Sequence, residues 1–365
     1  MGIQINGTND TISADDGSLS ITGNAVGIGS VGIGSDVPRS SLDASQKTDA
    51  IILPSGTTAQ RPGSSINGMI RYNSDTGIVE YFTGSAWYSI SETGIIATGG
   101  TVTEITASGI NYKVHTFTDV GESTFTVSRG GEVEYLVIGG GGGGSTASAG
   151  GGGAGGYRCS VSGESSGRGA TAESGLTVTV QSYSVIVGAG GTSYGSLSDS
   201  GTPSVFSSIT SLGGGKGANR SQTQTAATGG SGGGGASTSN ATYNAGASGT
   251  PGQGYDGGTG VDGGNYTAAG GGGAGGNGSN GGGSNGNGGG GVTSSINGSP
   301  VARAGGGGGG SNVTTASASA GGGTGGNLST AAGATTVNTG GGGGSTGQAT
   351  ATSGAPGIVI IRYRA

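Results

Sequence analysis

Apolar residues in this chain come in short clusters that alternate with polar positions, separated by long stretches of small residues. Residues 1–45 carry single apolar side chains between Gly, Asn, Asp and Ser. Among them Val26-Gly27-Ile28-Gly29-Ser30 is followed at once by Val31-Gly32-Ile33-Gly34-Ser35. Alternation of apolar residues with glycine suits an extended segment packed closely on a partner. One copy has too few apolar groups here for a core of its own, which favours intertwined copies. Over 46–91 the pattern strengthens. Ile51-Ile52-Leu53 is a strand candidate stopped by Pro54. Met69 to Tyr72, the turn Asn73 to Gly77 and Ile78 to Phe82 then read as a hairpin, with Trp87 and Tyr88 on a third strand. This stretch is expected to form a compact β collar. Residues 92–138 continue as β structure. Phe125 and Val127 alternate with polar residues, Gly130-Gly131 turns the chain, and Val133, Tyr135 and Val137 alternate again. That period of two predicts a hairpin with one buried face. Leu176, Val178 and Val180, then Tyr183, Val185 and Val187, predict another about Gln181-Ser182, and Ile358 to Tyr363 predicts a closing strand.

Composition changes the picture between these strands. Of 365 residues, 96 are glycine, only 30% are apolar and 9% are charged, so one conventional core spanning the chain is excluded. Interior glycine costs about 1 kcal/mol against alanine in an α-helix, which removes helices as well. Glycine runs recur at 139–144, 150–153, 213–215, 232–235, 270–273, 281–283, 288–291, 305–310, 321–323 and 340–344. A flexible linker is one reading of such sequence. Runs of similar length, entered or left through apolar strands, point instead to polyglycine II helices. These have the polyproline II geometry, three residues per turn and about 3.1 Å rise. Lacking Cβ, they pack side by side and satisfy one another's N–H and C=O groups. Collagen is excluded, because no Gly-X-Y register is sustained. The expected architecture is an all-β N-terminal fibre and collar region, then a bundle of polyglycine II helices over 139–365 anchored by short β-strands, with essentially no α-helix.

Charge and reactive side chains narrow the function. The net charge is −6 and the 13 Lys and Arg residues are scattered, without the basic stripe a nucleic-acid binder needs. Cys159 is the single cysteine, so no intrachain disulfide can form. The apolar runs, such as Ile358 to Ile361, are far below the roughly 18 residues of a membrane span. Met1 to Asn6 has neither the basic start nor the apolar stretch of a secretion signal, so a soluble chain without its own export route is expected. His115 is the only histidine, which removes a Ser-His-Asp triad and a multi-histidine metal site. Glu132 and Glu134 share a strand face, more simply a solvated one than a glycosidase pair. Lys216 precedes Gly217, so the phosphate-loop pattern fails. Asp256 and Asp262 have the chemistry of calcium ligands, with a plain turn role as the simpler reading. No catalytic residue, cofactor or metal is expected.

Two segments resemble known families. Asp49-Ala50-Ile51-Ile52-Leu53-Pro54-Ser55-Gly56 through Gly68-Met69-Ile70-Arg71-Tyr72-Asn73 to Ala86-Trp87 resembles a module common in fibre proteins of tailed phages. Residues 124–365 resemble the glycine-rich domain of phage tail-fibre tips and adhesins. The matching pieces are Tyr135-Leu136-Val137-Ile138-Gly139-Gly140, Val185-Ile186-Val187-Gly188-Ala189-Gly190, Ser294-Ser295-Ile296-Asn297-Gly298, and Gly357-Ile358-Val359-Ile360-Ile361-Arg362-Tyr363. The resemblance implies a virion tail-fibre protein, made in the host cytoplasm, whose tip loops bind a host outer-surface protein or polysaccharide. It implies neighbouring tail or baseplate proteins as partners. Together with the tandem repeat it predicts a homotrimer through residues 1–90. A head fibre or capsid decoration protein and, behind both, a surface-polysaccharide depolymerase are the alternatives.

If each glycine-rich segment crosses the bundle once, loops 145–149 and 218–228 fall at the far end, while 157–212 stays beside the collar. Further on, 277–287, 311–320 and 345–355 are distal on one count, and 265–269, 292–304 and 327–339 on another that adds a helix over 249–264. The first count is preferred. The candidate receptor-binding residues are then Ser145, Thr146, Asn219, Arg220, Gln222, Gln224, Asn277, Asn280, Asn312 and Gln348. With Tyr243, Tyr255 and Tyr266 assigned elsewhere, recognition is expected to be polar rather than aromatic.

Overall fold

The computed structural model describes residues 50–90, 94–220, 224–238, 244–263, 265–282 and 286–365, together with the backbone of Val31–Gly32 and Leu42–Asp43, which pair in parallel. The rest of the Val-Gly-Ile-Gly-Ser tandem lies outside the described residues. The chain divides into two compact units, 1–92 and 93–365.

In the first unit a four-stranded sheet runs in the order Ser55–Gly56, Ile70–Asn73, Ile78–Phe82, Trp87–Ser89. The expected hairpin is there: Ile70 pairs with Tyr81 and Asn73 with Ile78, around a turn closed by Gly77 N–H to Asn73 O at 2.9 Å. One face of this sheet is polar and covered. Glu80, 4% exposed, accepts from Arg61 Nε at 3.1 Å and Asn73 Nδ2 at 3.1 Å, with Arg71 Nε 3.4 Å away. Arg71 Nη2 also donates to Thr57 O at 3.0 Å, tying the preceding loop over that face.

The second unit is built on two antiparallel sheets. One runs Ile209–Ser211, Ser204–Phe206, Gln181–Val187, Gly121–Arg129, Ile96–Thr98; the other runs Tyr157–Cys159, Gly131–Ile138, Ile358–Arg364, Ile110–Phe117, Thr101–Ala107, with Leu176–Val178 also on the Gly131–Ile138 strand. The predicted hairpin around Gly130-Gly131 is therefore corrected. Gly121–Arg129 and Gly131–Ile138 lie in different sheets, and so do Leu176–Val178 and Gln181–Val187. The alternation of buried and exposed positions holds, but these turns carry the chain across the core from one sheet to the other. Phe125 and Val127 meet Val133, Tyr135 and Val137 face to face, with Phe206, Val359 and Ile361 between the same sheets. Leu136, Ile138, Ile358 and Ile360 point the other way, into a second cluster with Tyr157, Cys159, Ala274 and Ile296. Burial on both faces explains why Ile358 to Ile361 is continuously apolar.

Beyond the sandwich the glycine runs form an ordered lattice. Gly139 and Gly142 donate to Gly156 and Gly153, Gly140 and Gly143 to Thr202 and Asp199, and Gly141 and Gly144 to Ala355 and Thr352, all at 2.8–3.1 Å. Each amide thus finds the neighbour used three residues earlier, and successive amides point to three different neighbours. That is the threefold screw of a polyglycine II helix. Residues 150–156 repeat it: 150, 153 and 156 bond to 218, 215 and 212; 151 and 154 to 269 and 272; 152 and 155 to 343 and 340. The linker reading fails here, because linker amides have no such fixed partners. Among the described residues, helical backbone is confined to the short 3-10 pieces Thr58–Gln60 and Gly167–Gly169 and to the single residue Asn244.

The pairing also corrects the count of crossings. Residues 188–192 and 199–203 make an extra outward and return pair, with Gly191 N–H on Gly141 O and Thr202 N–H on Ala189 O. Between them the hairpin Ser193–Tyr194 with Leu197–Ser198 reaches the far end, where Thr146 N–H bonds Gly195 O at 2.8 Å. Likewise 225–230, 244–249, 316–320 and 331–336 run back along the bundle, as Ala227 on Lys216, Gly257 on Ala247, Gly288 on Ser317 and Gly333 on Thr324 show. These return segments are rich in Ala, Ser, Thr and Asn. A helix at the bundle edge needs glycine only on the side that touches neighbours, so runs of glycine undercount the helices. Segments from both earlier counts, 311–315 and 346–349 from one and 265–266 and 327–330 from the other, consequently reach the same end.

Candidate functional site

The far end of the bundle gathers residues 145–148, 193–198, 219–220, 224, 261–263, 265–266, 311–315, 327–330 and 346–349. Short polar side chains staple them together from beneath. Asn219 is fully buried and its Nδ2 donates to Thr146 O at 2.8 Å and Ser145 Oγ at 3.3 Å. Ser145, also fully buried, donates its N–H to Ser345 Oγ, which in turn donates to Gly150 O at 2.7 Å. Ala147 and Ser148 adopt left-handed backbone (φ 69 and 52), costing roughly 1–2 kcal/mol each. Gly347 O and Thr346 O hold their amides at 2.9 and 3.0 Å. Ser237 Oγ on Val261 O and Asn312 N–H on Asn265 O tie in the remaining turns.

These contacts sort the ten candidate residues. Ser145 and Asn219 are corrected from contact residues to the buried foundation of the loops, because a receptor cannot reach them. Thr146 is half-buried beside them. Arg220 is exposed, and its guanidinium lies over the Tyr266 ring at 4.1 Å. Gln224 is half-buried and clamps the Ser193–Ser198 hairpin, donating to Ser198 O at 2.9 Å and accepting from Ser198 N–H at 3.3 Å. Gln222 lies outside the described residues. Asn277 and Asn280 are exposed on the flank of the bundle rather than in an end turn, where their side-chain oxygens accept from the amides of Asp256 and Thr259. Asn312 is half-buried and its Oδ1 accepts from Ser148 Oγ at 3.2 Å, while Gln348 is exposed.

The sequence reading missed the apolar part of this end. Tyr194 is 65% exposed, Val313 59%, and Leu197, Val261 and Leu328 between 42% and 45%. Together with the Arg220–Tyr266 stack they give this end apolar and aromatic surface beside the polar side chains expected there. A signal for the first hairpin was available: Tyr194 and Leu197 flank Gly195-Ser196, a two-residue turn of the kind that joins paired strands, with Gly195 at φ 71.

The model of the glycine-rich domain family matches residues 117–364, about two-thirds of the chain. The chain belongs to that family. No curated protein matches it. The matched glycine-rich domain begins on the Ile110–Phe117 strand and ends on the closing one, so it takes in most of the sandwich, the bundle and every end turn. Several of its titratable groups are held in ion pairs, hydrogen bonds or apolar surroundings. Glu173 accepts from Arg158 at 2.6 Å and Tyr135 at 2.8 Å; burial alone would raise its pKa, but these bonds hold it below the usual carboxylate range. Asp256 is bonded by Arg168 at 2.7 Å and by the Gly249 amide, which lowers its pKa and occupies the carboxylate once considered for calcium. Burial pushes the Cys159 thiol up to about 12, away from any nucleophilic role. Glu134 pairs with Arg362 at 2.7 Å, a structural ion pair in place of the solvated face expected for it. At the end of the glycine-rich domain, aromatic, aliphatic and guanidinium surfaces stand together on turns fixed from below.

Proposed function

We propose that this chain is a structural adhesin of a tailed-phage fibre, in which the end turns of the glycine-rich bundle recognise a receptor on the host cell surface. One observation carries the reading: Tyr194, Leu197, Val261, Val313 and Leu328 stand exposed at one end, beside the Arg220–Tyr266 stack, on turns held by buried Asn and Ser side chains. Exposed apolar groups gathered in one place mark interaction surfaces. Turns already held in shape lose little entropy on binding. Tyrosine and arginine are the residue types that dominate binding hot spots. The fibre setting rests on the resemblance of residues 49–88 to fibre modules. The test is adsorption of the purified full-length chain to host cells, comparing wild type with Tyr194→Ser/Leu197→Ser and with residues 218–225 replaced by a Gly/Ser linker. At least a tenfold loss of adsorption is expected for each, and undiminished adsorption by both would remove this end from the receptor site.

A further inference from the structure

Arg158 and Arg362 each have a carboxylate beside them, Glu173 and Glu134. Arg303 has none. It sits on a short hairpin, Val292–Ser294 paired with Val301–Arg303, which adds Val292 and Ile296 to the apolar cluster on the outer face of the second sheet. Val292, Ser294, Val301 and Arg303 take the inward positions, while Thr293 and Ala302 are exposed. An arginine thus stands on the buried face of the hairpin. It is 6% exposed, its Nη1 is buried without a hydrogen-bond partner, and among the described residues it makes no ion pair. A second orphan lies close by. Tyr157, on the edge strand of that sheet, is fully buried, and its hydroxyl is likewise without a partner. The two groups are near enough to act on each other's charge, and Ser294 lies beside the Tyr157 hydroxyl. Burial raises the Tyr157 pKa, so the phenol keeps its proton. Burial lowers that of Arg303, but an arginine stays charged all the same. Glu164 reaches this cluster and accepts from the Ser295 amide at 2.8 Å and from Cys159 Sγ at 3.4 Å, so its oxygens are taken.

We propose that Arg303 Nη1 and the Tyr157 hydroxyl share a small inorganic anion of the size of chloride, with the Ser294 hydroxyl as a third donor. A guanidinium can only donate, so whatever joins these groups must accept. A buried charge is costly unless an opposite charge meets it, and a water molecule would leave the arginine unmatched. A monatomic anion accepts from several donors at once and brings no atoms that need partners of their own. A carboxylate or phosphate needs room that two buried side chains among Ile138, Ile296 and Ile360 do not leave. The site lies in the sandwich and is independent of what the far end of the bundle binds.

The test is to melt the full-length chain in sodium chloride and in sodium gluconate at equal ionic strength. Once the site is filled, each further tenfold rise in chloride should raise the melting temperature by about 2 °C, and gluconate should not. Arg303→Met, which fills similar space without charge, should erase the difference between the two salts, and Tyr157→Phe should reduce it. Should Arg303→Met fail to fold, wild-type crystals grown in bromide decide: an anomalous peak should lie between Arg303 Nη1 and Tyr157 Oη. Equal melting of the wild type in both salts, a chloride response kept by folded Arg303→Met, or a bromide map without a peak at this pair would each overturn the proposal.

Discussion

A methyl group added at Gly271 would land on the carbonyl of Gly152, backbone against backbone, where neither side can yield. At Gly290 it would meet nothing within 4 Å, and the residue is exposed. Gly271→Ala is therefore expected to lose about 1–3 kcal/mol, the range of overpacked cores, while Gly290→Ala should stay within about 0.5 kcal/mol or gain slightly. Denaturant unfolding of the two variants checks this. His115 offers a second test at this scale. It is fully buried, with Nδ1 at 2.8 Å from Gly99 O, Nε2 at 3.0 Å from Tyr363 Oη, and Phe125 edge-on. Burial, helped by Lys113 and opposed by the Gly99 bond, lowers its pKa from the ordinary 6.5. The neutral ring thus belongs to the folded state. Stability should be full above pH 6.5 and fall as pH drops below that value, levelling off under the folded-state pKa. The carboxylates with lowered values, Glu173 and Asp256, contribute losses only further down, below about pH 4.5. Melting temperatures between pH 7.5 and 5 should show the decline, and His115→Gln should flatten it.

At the scale of elements, the strands were legible because period-two alternation survives in short apolar clusters. Which strands paired was not, since facing residues on two sheets and on one hairpin give the same alternation. Phe125 and Val133 share a core in either arrangement. The bundle itself was legible from glycine recurrence, but its edge helices were not, because Thr, Ser and Asn are tolerated wherever one side of a helix faces water. That is why the Ser193–Ser198 hairpin and Tyr266 escaped assignment to the end of the bundle. Asn219, expected as a contact residue, turns its side chain inward instead. Asn219→Ala should leave the Thr146 carbonyl without its partner and cost about 1–3 kcal/mol. Hydrogen exchange should then quicken at 145–148 and 219–224 while the sandwich strands stay protected.

For the molecule as a whole, a lattice in which every helix leans on neighbours distant in sequence predicts uniform protection. Amides of Gly139–Gly144 and Gly305–Gly310 should exchange slowly, as a set, through global rather than local opening. Rapid exchange in both runs would mean the helices are not held. Non-local pairing of this kind also predicts slow folding, and the order of the strands sharpens the point. Ile358–Arg364 lies between Gly131–Ile138 and Ile110–Phe117, so the centre of one sheet is filled by a strand that follows every glycine run in the chain. Everything before it, including every glycine run, must be synthesised while that sheet still has a gap in its middle. Ribosome-bound chains halted at Gly357 should be cut throughout the bundle by protease, and chains carrying the final strand should resist. Chains that stop short of this strand would thereby be open to proteolysis, because the glycine lattice and the sheet close only when it arrives.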